Sequence, residues 1–195
     1  MTGIEVIKPR NSKTYQGEPI AIVGPPAIGK STVSKMVARR LKIPCYELDD
    51  IVAKTSGYTS CKILVEEKGR QYFWKIEHEC LVNFFKEKQG KFIISLGGGV
   101  TSHPDPQGFV EKNRALLKKK IFTICLFPSK KKKDASTILW KRQQKDDRSH
   151  VKDEKELSTY LDERRERLLS SADRIIYTHH ESAKKISDVI LDLIK

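Results

Sequence analysis

The sequence lacks any long apolar stretch, since it contains no run of 18 or more apolar residues. About that length is needed to cross a bilayer as a helix. The first 18 residues, MTGIEVIKPRNSKTYQGE, also lack the apolar core of a signal peptide. We therefore expect neither a membrane segment nor export, and we predict a cytoplasmic location.

Cysteine is scarce, and the four cysteines form no C-x-x-C pair. Cys45 and Cys125 lie inside apolar runs, where a small buried thiol is an ordinary core side chain. This pattern argues against a zinc or redox site. Internal repeats are absent as well, and 195 residues with 38% apolar content are enough for one globular domain.

Acidic residues are outnumbered, with 25 Asp and Glu against 38 Lys and Arg, for a net charge of +13. Such an excess is compatible with a nucleic-acid partner or with a polyanionic small molecule. Much of it lies in two lysine runs, 118–120 and 130–133, which we interpret as solvated loops. Few aromatic residues are interleaved with these lysines, so we do not expect nucleic acid as a partner.

Short apolar runs alternate with segments of helical periodicity. The runs lack clean polar alternation and predict strands covered on both faces, at 19–23, 44–48, 92–96, 120–126 and 174–178. The intervening periodicity predicts helices at about 30–42, 67–89, 106–118, 153–170 and 181–194. Right-handed connections place such helices on both faces. We therefore predict an α/β fold with three layers (α/β/α) around a five-stranded parallel sheet. Residues 1–18 would form a partly disordered N-terminal extension ahead of a domain at 19–195.

The most specific motif is GPPAIGKS at residues 24–31, a full match to the phosphate-binding pattern G-x-x-x-x-G-K-[ST]. A predicted strand precedes it and a predicted helix follows, so backbone amides and the helix N-terminus would face the phosphates. Lys30 would reach the β- and γ-phosphates of ATP, and Ser31 would hold Mg²⁺. The predicted nucleotide-binding residues in the loop are Gly24, Ala27, Ile28, Gly29, Lys30, Ser31 and Thr32.

Carboxylates cluster where the second predicted strand ends, in the segment CYELDD at 45–50. Ligands of open α/β sheets bind at this end of the strands. Glu47 could face the metal, and Asp49 could orient an acceptor hydroxyl and accept its proton. Alternatively, Asp49 and Asp50 only cap the next helix.

Three consecutive glycines, Gly97, Gly98 and Gly99, follow the third predicted strand. Glycines at this position allow a ligand to approach the backbone closely and leave amide groups for an anion such as a carboxylate. A simple turn would need only one or two.

Together these motifs resemble the shikimate kinase family, over about residues 19–194. The resemblance is carried by the phosphate-binding loop, the Y-x-L-D-D acids, a G-x-x-x-F-x-x-x-E helix (Gly69, Phe73, Glu77), the three glycines, and Arg164 followed by Ala172-Asp173. It implies a fold like that of nucleoside monophosphate kinases, with strand order 2-3-1-4-5 and a flexible lid at about 143–152. It also implies transfer of the ATP γ-phosphoryl group to the 3-hydroxyl of shikimate, in aromatic amino-acid biosynthesis.

The resemblance further implies individual roles. Asp49 matches the family's substrate-hydroxyl aspartate, and Arg164 matches its carboxylate-binding arginine. Arg148 matches a lid arginine near the phosphates and is grouped with Lys30 and Asp49 as catalytic. Lys141 falls where the family usually has an arginine against adenine.

The sequence departs from the family pattern at the acceptor site. Trp74 replaces an arginine that normally grips the shikimate carboxylate, and Arg70, one helical turn earlier, could supply a substitute charge. Glu47 replaces an aspartate, which could alter the metal site. The predicted substrate-binding residues are Asp49, Arg70, Trp74, Gly97, Gly98, Gly99 and Arg164, and the predicted metal ligands are Ser31 and Glu47.

Two charged residues fall on apolar helix stripes. Arg164 shares a stripe with Leu157 and Leu168, and Glu77 shares one with Phe73. A charge on such a stripe needs a partner, so we predict that Glu77 pairs with Arg164 and holds it ready for a carboxylate. Alternatively, each side chain could bend to solvent.

Three functions remain compatible with the sequence. The first is a monomeric shikimate kinase with a small-molecule substrate. The second is a related kinase for another polyol or hydroxy acid, with Trp74 reshaping the pocket; a nucleoside monophosphate kinase is disfavoured because the D-G-[FY]-P-R string is absent. The third is a nucleotide-dependent regulatory or nucleic-acid-binding module.

Overall fold

The computed structural model describes residues 3–10, 12–104, 106–146 and 151–195. Strands and helices alternate through most of this length. The strands are β1 (Glu5–Ile7), β2 (Ile20–Val23), β3 (Cys45–Glu47), β4 (Ile93–Ser95), β5 (Phe122–Phe127) and β6 (Arg174–Tyr177). The helices are α1 (Lys30–Leu41), α2 (Leu48–Ser56), α3 (Cys61–Glu87), α4 (Phe109–Lys120), α5 (Lys132–Asp146), α6 (Glu154–Ser170) and α7 (Ala183–Leu193), with a 3₁₀ turn at Gly98–Thr101.

The strands form one sheet in the order β1-β6-β5-β2-β4-β3. Strands β3, β4, β2, β5 and β6 are parallel, which confirms the predicted α/β class and the order 2-3-1-4-5 of the five predicted strands. The predicted count of five was wrong by one, because β1 pairs antiparallel with β6, with Val6 opposite Ile176. The extension holding β1 is tied down further where the Lys13 amide donates to Asp173 Oδ1 at 3.1 Å.

The sheet is the centre of the core. All residues of β2, β4, β5 and β6 are buried, as the continuous apolar runs predicted. Helices α1 and α7 pack together, and α3 packs against α4, so helices cover both faces. Because β2, β3 and β4 lie side by side, the segments that follow them meet at one edge of the sheet.

Two helices, α2 and α5, were not predicted from the sequence. Helix α2 directly follows β3, and Asp49 and Asp50 lie in its first turn; the N-cap residue is Glu47, whose side chain makes no capping hydrogen bond. Helix α5 begins within the second lysine run, and the first run, 118–120, forms the last turn of α4. The interpretation of both runs as loops was therefore wrong, although their side chains are exposed as predicted. A third difference is that α3 starts at Cys61 and kinks at Gly69, where φ is 80°.

The predicted lid at 143–152 falls partly outside the described residues. Residues 143–146 are the end of α5, and Gln143 is buried. Arg148 lies outside the described residues, so its role and the mobility of the lid stay predictions. Among the residues that the structure covers, no helix is both long enough and apolar enough to cross a membrane.

Candidate active site

The phosphate-binding loop has a backbone that requires its glycines. Gly24 has a φ of 155°, and a Cβ at this position would collide with the carbonyl oxygen of Leu126 in β5. Gly29 has a φ of 97° and is the N-cap of α1, so the loop ends at a helix N-terminus. Ala27 also has a positive φ, of 60°. This curled loop at a helix N-terminus is the geometry in which backbone amides bind phosphate.

Lys30 lies at the start of α1 and folds over the loop, where its Nζ donates to the Pro25 carbonyl at 3.0 Å. Burial lowers the pKa of Lys30, while the negative charges of Asp49 and Glu47 oppose that change. The ammonium is therefore held close to two carboxylates, one from β3 and one from α2.

Ser31 and Glu47, the predicted metal ligands, are in contact. Ser31 Oγ donates to Glu47 Oε2 at 3.0 Å. The other carboxylate oxygen, Oε1, is buried and has no hydrogen-bond partner in the structure. A buried carboxylate oxygen without a donor, beside the hydroxyl of a phosphate-binding loop, suits Mg²⁺, which is usually held by few protein ligands together with substrate phosphates. These two residues therefore fit the ion, although the described residues contain no group of three or more His, Cys, Asp or Glu side chains arranged around a metal position.

The loop shares a cavity of about 260 Å³ with the segments after β3 and β4. Its lining includes Pro26, Ala27, Gly29, Lys30, Ser31, Thr32, Glu47, Asp49, Ser95, Gly97 and Gly98. The cavity thus brings together most of the predicted loop residues, both predicted metal ligands, and three of the predicted acceptor-binding residues, Asp49, Gly97 and Gly98. The other predicted site residues are not part of its lining: Gly24, Ile28, Arg70, Trp74, Gly99, Lys141 and Arg164.

Asp49 is the exposed carboxylate of this cavity. It lies so near the glycine segment that a Cβ on Gly97 would be 3.3 Å from its Oδ1. Gly98 is equally constrained, since a Cβ there would be 2.7 Å from the Gly24 carbonyl oxygen. The glycines therefore allow the strand ends to approach each other, and they bring Asp49 close to the glycine segment.

Glu77 is buried behind this cavity, with 3% of its surface exposed. Burial raises the pKa of Glu77 well above its ordinary value, and the nearby negative charge of Asp49 raises it further. A Cβ on Gly97 would be 3.7 Å from Glu77 Oε1, so the carboxyl group lies beside the acceptor end of the site.

Replacement of Glu77 by glutamine should stabilise the protein at neutral and alkaline pH. A carboxyl group whose pKa is raised in the folded state favours folding at low pH, and it loses that contribution as the pH rises above about 4.3, the ordinary value for glutamate. Thermal unfolding of the wild type and Glu77→Gln should therefore diverge between pH 5 and pH 8, with the variant more stable at pH 8. Equal pH dependence of the two midpoints would contradict this, and Glu79→Gln, an exposed residue of the same helix, is the control.

The predicted pair between Glu77 and Arg164 was wrong. Arg164 is buried, as its position on the apolar stripe indicated, so the solvent alternative is also wrong. Its Nη1 instead donates to His103 Nδ1 at 3.0 Å and to the Tyr160 hydroxyl at 3.2 Å, and its guanidinium stacks 4.1 Å from the Tyr160 ring centre. A neutral imidazole and a phenol thus take the place of the expected carboxylate.

Trp74 joins the same cluster. Its ring centre is 5.0 Å from that of His103. The imidazole of His103 lies directly against Gly99, where a Cβ would overlap it. Four predicted or newly found site residues, Trp74, Gly99, His103 and Arg164, therefore meet in one place. His103 was missed because it belongs to no motif; its position four residues after the glycines was the only signal.

Arg70 lies at the α3 kink and is exposed. Burial raises the pKa of Tyr160, and the positive charges of Arg164 and Arg70 oppose that change. Arg70 is therefore close enough to influence the Tyr160 hydroxyl, on the same side of the site as Arg164.

A second cavity, of about 680 Å³, lies between α5, β1 and the segments after β5 and β6. Lys141, His179 and His180 are among its lining residues. A neighbouring arginine that the sequence analysis did not single out, Arg142, links this region to the phosphate-binding loop: it donates to the Ile28 carbonyl at 3.1 Å and to the His179 carbonyl at 3.0 Å. The predicted adenine-contacting position, Lys141, is thus next to a residue that holds the loop.

The chain is similar in sequence to proteins of known function. A shikimate kinase from Flavobacterium psychrophilum is 34% identical over 94 residues, which are 48% of this chain and 54% of that protein. The chain thus spans about half the length of the curated relatives it matches first.

Solved structures match over much more of the chain. A shikimate kinase from Aquifex aeolicus superposes with a TM-score of 0.67 at 26% identity, covering 90% of this chain and 95% of that one. A shikimate kinase from Acinetobacter baumannii, in complex with shikimate, has a TM-score of 0.75 at 24% identity and covers 91% and 92%, and it supports the fold alone. A family model described as "Shikimate kinase" matches residues 26–195. The chain therefore belongs to the shikimate kinase family.

Proposed function

We propose that the protein is an ATP-dependent shikimate kinase, which transfers the γ-phosphoryl group of ATP to the 3-hydroxyl of shikimate. The observation that carries the proposal is the shared cavity, whose lining includes Lys30 and Ser31 together with Asp49 and two glycines. A phosphate-binding group and a carboxylate that can orient a hydroxyl are the two parts that such a transfer needs.

In this arrangement the chain's own residues position the two substrates. The loop amides and Lys30 bind the phosphates and place the γ-phosphoryl group near Asp49. Asp49 accepts a hydrogen bond from the acceptor hydroxyl, aligns it, and takes its proton as the new phosphate ester forms. Ser31 and Glu47 would hold Mg²⁺, which, when bound, neutralises phosphate charge.

The base of ATP is proposed to enter the larger cavity beside Lys141. Its volume of about 680 Å³ falls in the range of cavities that bind small molecules. Arg142 ties the loop before α1 to the segment after β6. Phosphate and base would therefore be bound by segments that a single side chain holds together.

The carboxylate of shikimate is proposed to bind between Arg164 and the amides of Gly98 and Gly99. Arg164 is buried and its Nε has no hydrogen-bond partner in the structure, so the guanidinium has donor capacity for an anion. Arg70, at the kink of α3, adds positive charge on the same side.

The direct test is ADP release by the purified protein with MgATP and a panel of acceptors. Shikimate should give the highest kcat/KM, ahead of neutral polyols and other hydroxy acids. A higher value for a neutral polyol would favour the alternative, a related kinase whose pocket has been reshaped by Trp74. No turnover with any acceptor, although ATP binds, would overturn the kinase proposal.

Replacement of Arg164 by alanine should raise the KM for shikimate about tenfold or more, because a hydrogen bond to a charged group contributes roughly 1.5–3 kcal/mol. The KM for ATP should hardly change, since the phosphate-binding loop is untouched. Steady-state kinetics with each substrate varied in turn provide the measurement. Unchanged shikimate kinetics would rule out carboxylate binding by Arg164.

Two further variants separate charge from packing. Arg164→Lys keeps the charge but loses the planar fork, so its KM should fall between those of the wild type and Arg164→Ala. Trp74→Arg restores the residue that the family usually has. Trp74→Arg should change shikimate affinity little if this site already binds a carboxylate. It should clearly increase shikimate affinity if the site binds a neutral polyol instead.

A further inference from the structure

His103 occupies a central position in the acceptor end of the site. It follows the 3₁₀ turn formed by the glycine segment, and its ring lies against Trp74 from α3, with 5.0 Å between ring centres. Its Nδ1 is 3.0 Å from Arg164 Nη1 on α6. The backbone is held as well, since Arg167 Nη1 donates to the His103 carbonyl at 3.1 Å. His103 thus links three separate elements at one point.

The contact with Arg164 determines the protonation state of the His103 imidazole. An arginine side chain donates hydrogen bonds and accepts none, so His103 Nδ1 must be the acceptor. The ring is then neutral, with its proton on Nε2, the nitrogen that lies against Gly99. Arg164 Nη1 is accordingly bound by two neutral acceptors, His103 and the Tyr160 hydroxyl.

This arrangement differs from an ion pair in one important way. A carboxylate partner would neutralise the guanidinium and compete with an incoming anion, whereas an imidazole and a phenol orient it and leave its positive charge available. The position that the family usually fills with a second arginine is here occupied by Trp74, whose ring packs on the imidazole. The aromatic side chain therefore supports the residue that orients Arg164.

We propose that His103 is a positioning residue for acceptor binding: held by Trp74 and Gly99, it fixes the Arg164 guanidinium through Nδ1 in the orientation that receives the acceptor's carboxylate. The inference rests on the proposed function in one respect, that the acceptor carries a carboxylate.

The test compares two replacements of His103 that differ in the acceptor atom. His103→Phe keeps a ring that can pack on Trp74 but has no acceptor, whereas His103→Asn places an amide oxygen near the position of Nδ1. His103→Phe should raise the KM for shikimate about tenfold and leave kcat and the KM for ATP within about twofold. His103→Asn should stay within about twofold of the wild type in all three.

The control is His78→Phe, which also removes a partly buried imidazole that lies against an aromatic ring. His78 bonds to Asn113 at 2.7 Å and makes no contact with Arg164. It should therefore leave the KM for shikimate unchanged. The proposal is wrong if both His103 variants bind shikimate like the wild type. It is equally wrong if both lose affinity to the same extent, because packing would then explain the effect.

A second measurement does not depend on the acceptor. Nitrogen-15 NMR of the histidine rings should show His103 as the neutral Nε2–H tautomer, and Arg164→Ala should shift its Nδ1 resonance while leaving that of His78 in place. If the protein phosphorylates no acid in the panel, the proposed function fails and this measurement alone decides about His103. An unshifted Nδ1 resonance in Arg164→Ala would show that the imidazole does not hold the arginine.

Discussion

Lys30→Ala is expected to lower kcat/KM by about 10³-fold or more. Loss of one donor that stabilises developing charge typically costs 10²- to 10³-fold, and Lys30 carries a full charge in a buried setting where electrostatic interactions are strong. Its Nζ lies over the phosphate-binding loop, on the Pro25 carbonyl, and within the described part of the chain it is the one lysine or arginine that lines that cavity. ADP release with MgATP and shikimate provides the measurement.

Two controls separate charge from structure. Lys30→Met keeps most of the side-chain volume and should be as inactive as Lys30→Ala. Lys35→Ala removes an exposed lysine from the same helix and should retain wild-type rates. Because burial lowers the pKa of Lys30, its charged form does not stabilise the fold at neutral pH, so both Lys30 variants should unfold at or above the wild-type temperature. A folded Lys30→Ala protein with wild-type activity would rule out the assignment of the loop.

Asp49→Asn should lower kcat by roughly 10²- to 10⁴-fold, the range expected when a positioned acid–base group is lost. Asparagine preserves the shape of the side chain but cannot take the proton of the acceptor hydroxyl. The KM for ATP should change little, because in the proposed mechanism the loop, and not Asp49, binds the phosphates. Single-turnover measurements would place the loss in the chemical step.

Asp50→Asn is the matched control for Asp49. Both carboxylates are exposed and lie in the first turn of α2, so each has a similar interaction with the helix dipole, worth about 0.3–1 kcal/mol. If Asp49 served only the helix end, the two variants would lose similar stability and neither would lose activity. A large kcat loss confined to Asp49→Asn would exclude that explanation.

The fold was largely predictable because its main determinants are local. Strands β2, β4 and β5 are buried on both faces, so each is mostly apolar, and that pattern is visible in a few consecutive residues. Strand β1 is different. It has three half-buried residues, and it exists because the edge of β6 offers unpaired backbone groups to it. Such pairing depends on a partner about 170 positions away and leaves no periodic signal.

The candidate site likewise has parts that the local sequence predicts and parts that it does not. The phosphate-binding loop and the glycine segment are contiguous strings whose backbone conformation follows from their residues. The apolar stripe of α6 correctly indicated that Arg164 is buried, but burial alone does not identify a partner. His103 is 61 residues away in the sequence. A carboxylate is the usual partner of a buried arginine, yet Glu77 is itself buried in a setting that disfavours its charge.

Strand β1 also protects the molecule against self-association. Strand β6 has Ile175 and Ile176 in its centre, and without β1 its backbone would be open along one side. Open strand edges of this kind recruit the same segment from another copy, through strand exchange or aggregation. An ion pair between Glu5 and Lys130 helps to keep β1 in place. A shortened form beginning after residue 7 would therefore keep its catalytic groups yet be prone to form oligomers.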